Sequence, residues 1–229
     1  MSTLTLVRHG QAAAFTSQSD RLTQLGREQV SHLAAYWRSR NVAFDEVICG
    51  SLRRQIETAE ILSQGVIRQA DHFNEYDAGA ILQFLAPMLR ERDERFARLW
   101  RQWEEGSETP DQNRHFQRMF EVLLGHWLEE TITHPKVESW LNFRARVTRG
   151  LKLILNDPRP SRRVLVCTSG GPIGVAVQAA LQAPPRAALE LNWRVRNSSI
   201  TEFLFSGNRL SLDLFNATPH LKPALVTFR

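Results

Sequence analysis

Phe44-Asp45-Glu46-Val47-Ile48-Cys49-Gly50-Ser51-Leu52-Arg53-Arg54-Gln55-Ile56-Glu57-Thr58-Ala59 is the stretch whose reading decides the fold. Phe44 to Cys49 has the length and apolar content of a strand, closed by Gly50-Ser51. A helix is predicted over about 52–64, ending at Gly65, a residue suited to a helix C-terminus. Val66 to Ala70 reads as another short strand. Strand, helix and strand in succession make a βαβ unit, and such units build a mainly parallel sheet.

The same alternation extends in both directions. Residues 3–7 read as a buried strand, 12–20 as a polar loop, and a helix runs from Leu22-Thr23-Gln24-Leu25-Gly26 to about Ser39 with Thr23 as its N-cap. Val164 to Cys167 is a continuous apolar run of the kind found in central strands. Thr168-Ser169-Gly170-Gly171-Pro172 reads as a tight turn, and Ile173 to Leu181 as a helix. Ile200 to Phe205 and Leu210 to Leu214 form a hairpin around Ser206-Gly207-Asn208-Arg209.

From about Leu82 to Asn156 the pattern is helical instead. Phe96, Leu99, Trp100 and Trp103 recur at helical spacing, as do Phe116, Met119, Phe120, Leu123, Leu124 and Trp127. A third stripe is Trp140, Phe143, Val147, Leu151 and Ile154, and Gly106 to Pro110 and Thr133 to Pro135 punctuate the segment. These aromatics read first as helix-packing core. Their functional reading is a lid over an active site.

The 229 residues carry 42% hydrophobic and 23% charged side chains, ordinary for a soluble globular protein. No apolar run is long enough to span a membrane, and no signal peptide is evident. Cys49 and Cys167 each end an apolar run and read as buried free thiols, so a cytoplasmic location is expected. The net charge of +5 comes from dispersed arginines without a basic stripe or a nucleic-acid-binding module, so no nucleic-acid partner is expected.

The chemistry gathers at Arg8-His9-Gly10-Gln11, where the first strand runs out into a loop. A guanidinium grips phosphoryl oxygens in bidentate fashion. A neutral imidazole can attack phosphorus near pH 7. Together with Leu22-Thr23 and Gly26, Ser51 to Ala59, Glu75-Tyr76-Asp77-Ala78-Gly79, Val164 to Gly171 and Arg196-Asn197-Ser198-Ser199, this tetrad resembles the histidine phosphatase superfamily, the phosphoglycerate mutase-like proteins. The resemblance covers both ends of the chain in the correct order.

It implies an α/β fold: a three-layer sandwich with a mostly parallel central sheet, in a single domain over 1–229 with a helical insertion at about 80–140. It also implies His9 as the nucleophile, with Arg8, Arg54 and Gly170 holding the phosphate. Arg53 reads as a surface residue. Glu75 is the preferred proton donor, with a carboxyl kept protonated by burial, and Asp77 is the alternative. No cofactor and no metal are expected, because His32, His72, His115, His126 and His134 are scattered without ligand spacing.

One position departs from the pattern. The family places a second histidine directly before the Gly-Gly pair, and this chain has Ser169 there. Losing one such donor costs on the order of 100- to 1,000-fold in rate. Ser169 itself is one candidate to fill the role, and His220, on the C-terminal tail, is another. The expected activity is hydrolysis of small phosphomonoesters through a phosphohistidine on His9. A mutase-type phosphotransferase and a non-catalytic phospholigand binder are the alternatives. The oligomeric state is left open.

Overall fold

The sheet is assembled from β1 (Ser2–Arg8), β2 (Glu46–Cys49), β3 (Ile67–Gln69), β4 (Arg163–Thr168), β5 (Ile200–Ser206) and β6 (Arg209–Ala217). This is a computed structural model, and it describes residues 1–13, 20–106, 111–207 and 209–228. The strand order is β3-β2-β4-β1-β5-β6. The first four in that order pair in parallel, while β5 and β6 run antiparallel at one edge. The fold is therefore α/β with a mostly parallel central sheet, as read from the sequence.

The chain divides into two compact units. The first comprises Met1–Glu75 and Arg146–Arg229, and contains the whole sheet. One face of that sheet presents Val7, Val47, Cys49, Leu165, Cys167 and Ile200 to α1 (Gln24–Arg38) and α2 (Arg53–Leu62), which contribute Leu33, Trp37 and Ala59. The alternate residues Leu4, Leu6, Ile48, Val164 and Val166 are equally buried. Burial on both faces explains why these strands read as continuous apolar runs rather than alternating ones. α8 (Gly170–Leu181) packs on β1, β6 and α9 (Pro185–Asn192).

The second unit, Tyr76–Ala145, is helical. α3 (Ala78–Ala80) passes through a π-helical turn at Ile81–Leu85 into α4 (Ala86–Arg92), followed by α5 (Glu94–Glu105) and α6 (Gln112–Leu128). α7 (Trp140–Leu155) begins in this unit. Asp93 caps α5 by accepting from Phe96 N at 3.0 Å, which separates α4 from α5 where the sequence pattern reads as nearly continuous helix. Tyr76, Trp127, Trp140 and Phe143 form its aromatic core. The punctuating segment 107–110, the loop residues 14–19 and Asn208 of the hairpin lie outside the described residues.

Several boundaries differ from the sequence reading. α8 starts at Gly170 rather than Ile173, because Pro172 is tolerated in a first helical turn, whose N–H groups have no partner within the helix. β6 reaches Ala217, and α9 was not read at all. Pro184 and Pro185 mask α9 in the sequence, although Pro185 at its first position is a helix-start signal.

Candidate active site

The β1–α1 connection is clamped before it carries any chemistry. Thr23 caps α1 by accepting from Gly26 N at 3.0 Å, and its hydroxyl donates to Gln11 Oε1 at 2.9 Å. A Cβ on Gly10 would sit 2.3 Å from the Gly26 carbonyl oxygen, and one on Gly26 would sit 2.0 Å from that of Gln11. Only two glycines allow this approach, and it fixes the residue after β1 against the first turn of α1. Gly10 N also donates to Thr58 Oγ1 at 3.3 Å, tying the same turn to α2.

His9 emerges from this clamp with a defined tautomer. Its N–H donates to the Thr168 carbonyl at 2.8 Å, and its own carbonyl takes Ser198 N–H at 3.2 Å and Asn197 Nδ2 at 3.3 Å. Ser198 is a buried non-glycine residue at φ 54, a left-handed conformation that costs energy and recurs at functional sites. The ring Nδ1 lies 2.7 Å from the Gly10 carbonyl. A carbonyl can only accept, so Nδ1 carries the proton and Nε2 keeps its lone pair. Arg54 Nε–H donates to that lone pair at 3.1 Å. His9 is 6% exposed. Burial, then Arg54, then Arg8 hold the imidazole well below its usual pKa, against the opposing bond to Gly10. The resting state is a neutral imidazole facing a cation.

Arg54 stands in the first turn of α2, where the helix dipole favours an anion. Its other side donates from Nη1 to Asp20 Oδ1 at 2.6 Å, and Asp20 Oδ2 accepts from Arg53 N at 2.7 Å. Arg8 donates from Nη1 to the carbonyls of Val195 and, at 2.9 Å, Phe228, so its guanidinium is anchored to the chain's last segment while its charge acts on His9. Arg53 is exposed, as read from the sequence, and its Nε donates to Glu57 Oε1 at 3.2 Å. Glu57 is 2% exposed and also holds Arg21, Arg27 and Leu22 N.

The other half of the site is the start of α8. Glu75 Oε2 accepts from Gly171 N at 3.0 Å. Asp77 is occupied elsewhere, capping α3 through Ala80 N at 2.9 Å. Gly170 opens α8, and a side chain there would meet Asn192 Oδ1 at 2.2 Å. Ser169 is fully buried, and its hydroxyl oxygen accepts from Gln55 Nε2 at 2.8 Å. His220 Nε2 pairs with Ser198 Oγ at 2.9 Å and its ring faces Tyr36 of α1. Burial, then His32, lowers the His220 pKa to about 4.

His9, Arg54, Asp20 and Thr58 are thus joined by direct bonds, and in a second set Gln55 donates to Ser169 and shares the Phe73 carbonyl with the Thr168 hydroxyl. Sequence reasoning missed Asp20, Gln55 and Asn197. Asp20 sits in a stretch with no period. Asn197 lies in a quoted motif without an assigned role. Among the described residues no group of three or more His, Cys, Asp or Glu could hold a metal, and no helix is long and apolar enough to cross a membrane. Both cysteines are free and buried, and burial, then Glu60, pushes the Cys49 thiol up to about 11.

A neutral histidine facing an arginine, just past the end of the first strand of a mostly parallel sheet, is an arrangement able to hold a phosphoryl group. The sequence model of the histidine phosphatase superfamily (branch 1) matches residues 4–123 and 105–218, and the chain belongs to that superfamily. Among solved structures, Bacillus stearothermophilus YhfR superposes with a TM-score of 0.67 at 18% identity, covering 96% of this chain and 99% of that one. A phosphoserine phosphatase from Entamoeba histolytica, in complex with 3-phosphoglyceric acid, gives 0.64 at 18% identity, covering 97% and 100%. A mycobacterial glucosyl-3-phosphoglycerate phosphatase gives 0.59 at 22% identity, covering 95% and 100%. These likenesses establish the shared fold. No curated protein matches the sequence.

Proposed function

We propose that this protein is a metal-independent phosphatase that hydrolyses small phosphomonoesters through a phosphohistidine on His9. The observation that supports this reading is the pair of bonds at the His9 ring: Gly10 holds the Nδ1 proton and Arg54 faces the Nε2 lone pair.

In the first step Nε2 attacks phosphorus and the P–O bond to the alcohol breaks. Glu75 gives its proton to the departing oxygen. The Nδ1 proton stays on the ring, and the Gly10 carbonyl stabilises the positive charge that the ring acquires. Arg54 Nε–H, released from Nε2, turns to a phosphoryl oxygen, with Arg8 adding charge. In the second step ionised Glu75 takes a proton from water, the water oxygen forms the new P–O bond, and the N–P bond breaks to return neutral His9 and inorganic phosphate.

Glu75 is preferred to Asp77 because it reaches the start of α8, whereas Asp77 serves as a helix cap. Relatives of the same fold that act on phosphoserine and glucosyl-3-phosphoglycerate favour a small phosphorylated metabolite as substrate. Two buried free thiols fit a cytoplasmic location.

The test is hydrolysis of an aryl phosphate in the presence of EDTA, comparing the unmodified protein with His9→Ala. Turnover that survives EDTA and vanishes in the variant is expected. Equal near-zero rates would contradict the reading and favour a phospholigand binder.

A further inference from the structure

Gln55 and Ser169 are both fully buried, with Gln55 Nε2 2.8 Å from Ser169 Oγ. The second Nε2 hydrogen goes to the Phe73 carbonyl at 3.0 Å. That bond fixes the amide orientation, because the flipped amide would set two carbonyl oxygens against each other. Ser169 Oγ therefore accepts from Gln55, and its own proton is turned away from it. Among the described residues no protein group takes that proton. A buried hydroxyl with an unused donor is costly unless a ligand uses it. Ser169 follows Thr168, whose carbonyl holds the His9 N–H at 2.8 Å, so the backbone carrying this hydroxyl lies beside the candidate nucleophile.

Gln55 cannot retreat. A Cβ on Gly50 would lie 1.9 Å from Gln55 Oε1, so the amide is packed directly against that glycine. An imidazole at position 169, in the direction the serine side chain takes, would overlap Gln55.

We propose that Gln55 and Ser169 act as one unit in place of a second histidine. Gln55 is a positioning residue that fills the room of the ring and turns the Ser169 hydroxyl into a donor for the phosphoryl group. The inference rests on the phosphatase reading above. It also changes what Ser169→His should do: alone, the ring collides with Gln55, and it is accommodated only when Gln55 is shortened.

The experiment is a kinetic cycle on the full chain with an aryl phosphate, using Ser169→Ala, Gln55→Met and the double variant, with thermal melts alongside. Ser169→Ala is expected to lower kcat about 100-fold with little change in KM. Gln55→Met should lower kcat nearly as much, and the double variant no further than the larger single loss. As a second route, insensitive to how well Gln55→Met folds, Gln55→Ala/Ser169→His should exceed Ser169→His in kcat at least tenfold, an order-of-magnitude expectation. Unchanged kcat in Ser169→Ala, losses that multiply in the double variant, or a paired His variant no better than Ser169→His would each overturn the proposal. A parent protein without His9-dependent turnover would instead overturn the phosphatase reading, and this inference with it.

Discussion

Arg54 donates its Nε–H to the Nε2 lone pair of His9 at 3.1 Å, and its Nη1 to Asp20 at 2.6 Å. One planar guanidinium thus spans the candidate nucleophile and a carboxylate. A lysine ammonium is a point charge on a flexible stem and cannot hold both directions at once. Arg54→Lys is expected to lower kcat on the order of 100-fold while leaving thermal stability nearly unchanged. Steady-state kinetics check this, and a loss confined to KM would indicate a binding role only.

Asp20 bonds Arg54 and the α2 backbone at Arg53, so it presets the guanidinium before a phosphate arrives. Asp20→Asn keeps the shape and weakens the pull. We expect kcat/KM to fall about tenfold, because small misplacements of a clamping group are costly. A rise in kcat/KM would mean that the Asp20 carboxylate competes with the substrate for Arg54.

The imidazole of His9 is held well below its usual pKa by burial and by the two arginines. A group with a lowered value stays neutral, and hence nucleophilic, as pH falls through the ordinary histidine range near 6.5. The acid limb of kcat/KM contributed by His9 should therefore lie below pH 6.5. A pH–rate profile measures it. A limb at or above that value, abolished by no other substitution, would contradict the assigned environment.

Glu57 is a structural counterpart. Burial pushes its carboxyl up, but Leu22 N–H, Arg27, Arg53 and Arg21 outweigh burial and hold it below its ordinary value of 4.5. A lowered carboxyl contributes stability above its unfolded value and loses it as pH falls through the folded one. Glu57→Gln leaves three arginines without their shared anion. Because those arginines are about half exposed and stay hydrated, it should destabilise the fold by about 1 kcal/mol at pH 7, read by denaturant unfolding. A change under 0.5 kcal/mol, the ordinary range for surface substitutions, would show that solvent screens the cluster.

The sheet and its helices were legible because their signals are local. The continuous apolar runs at Leu4 to Val7 and Val164 to Cys167 report burial on both faces, and Thr23 announces α1 within one turn. His9, Arg54 and Glu75 could be nominated for the same reason, each lying within a short motif, and the structure brings His9 and Arg54 into direct contact. The pairing of Gln55 with Ser169 was not, because the partners are 114 residues apart and neither residue type announces the other. Asp20 was hidden by a loop with no period, and its importance comes only from folding against α2. The proline pair before α9 reads as a break until the helix is seen to start on it.

The central claim is that His9 carries the phosphoryl group. The direct measurement is rapid quench of the protein with a radiolabelled phosphomonoester, followed by isolation of the protein under alkaline and under acidic conditions. The account predicts covalent label that survives alkali, is lost in acid, and is absent in His9→Ala. Turnover without any such label, or label retained in His9→Ala, would contradict it.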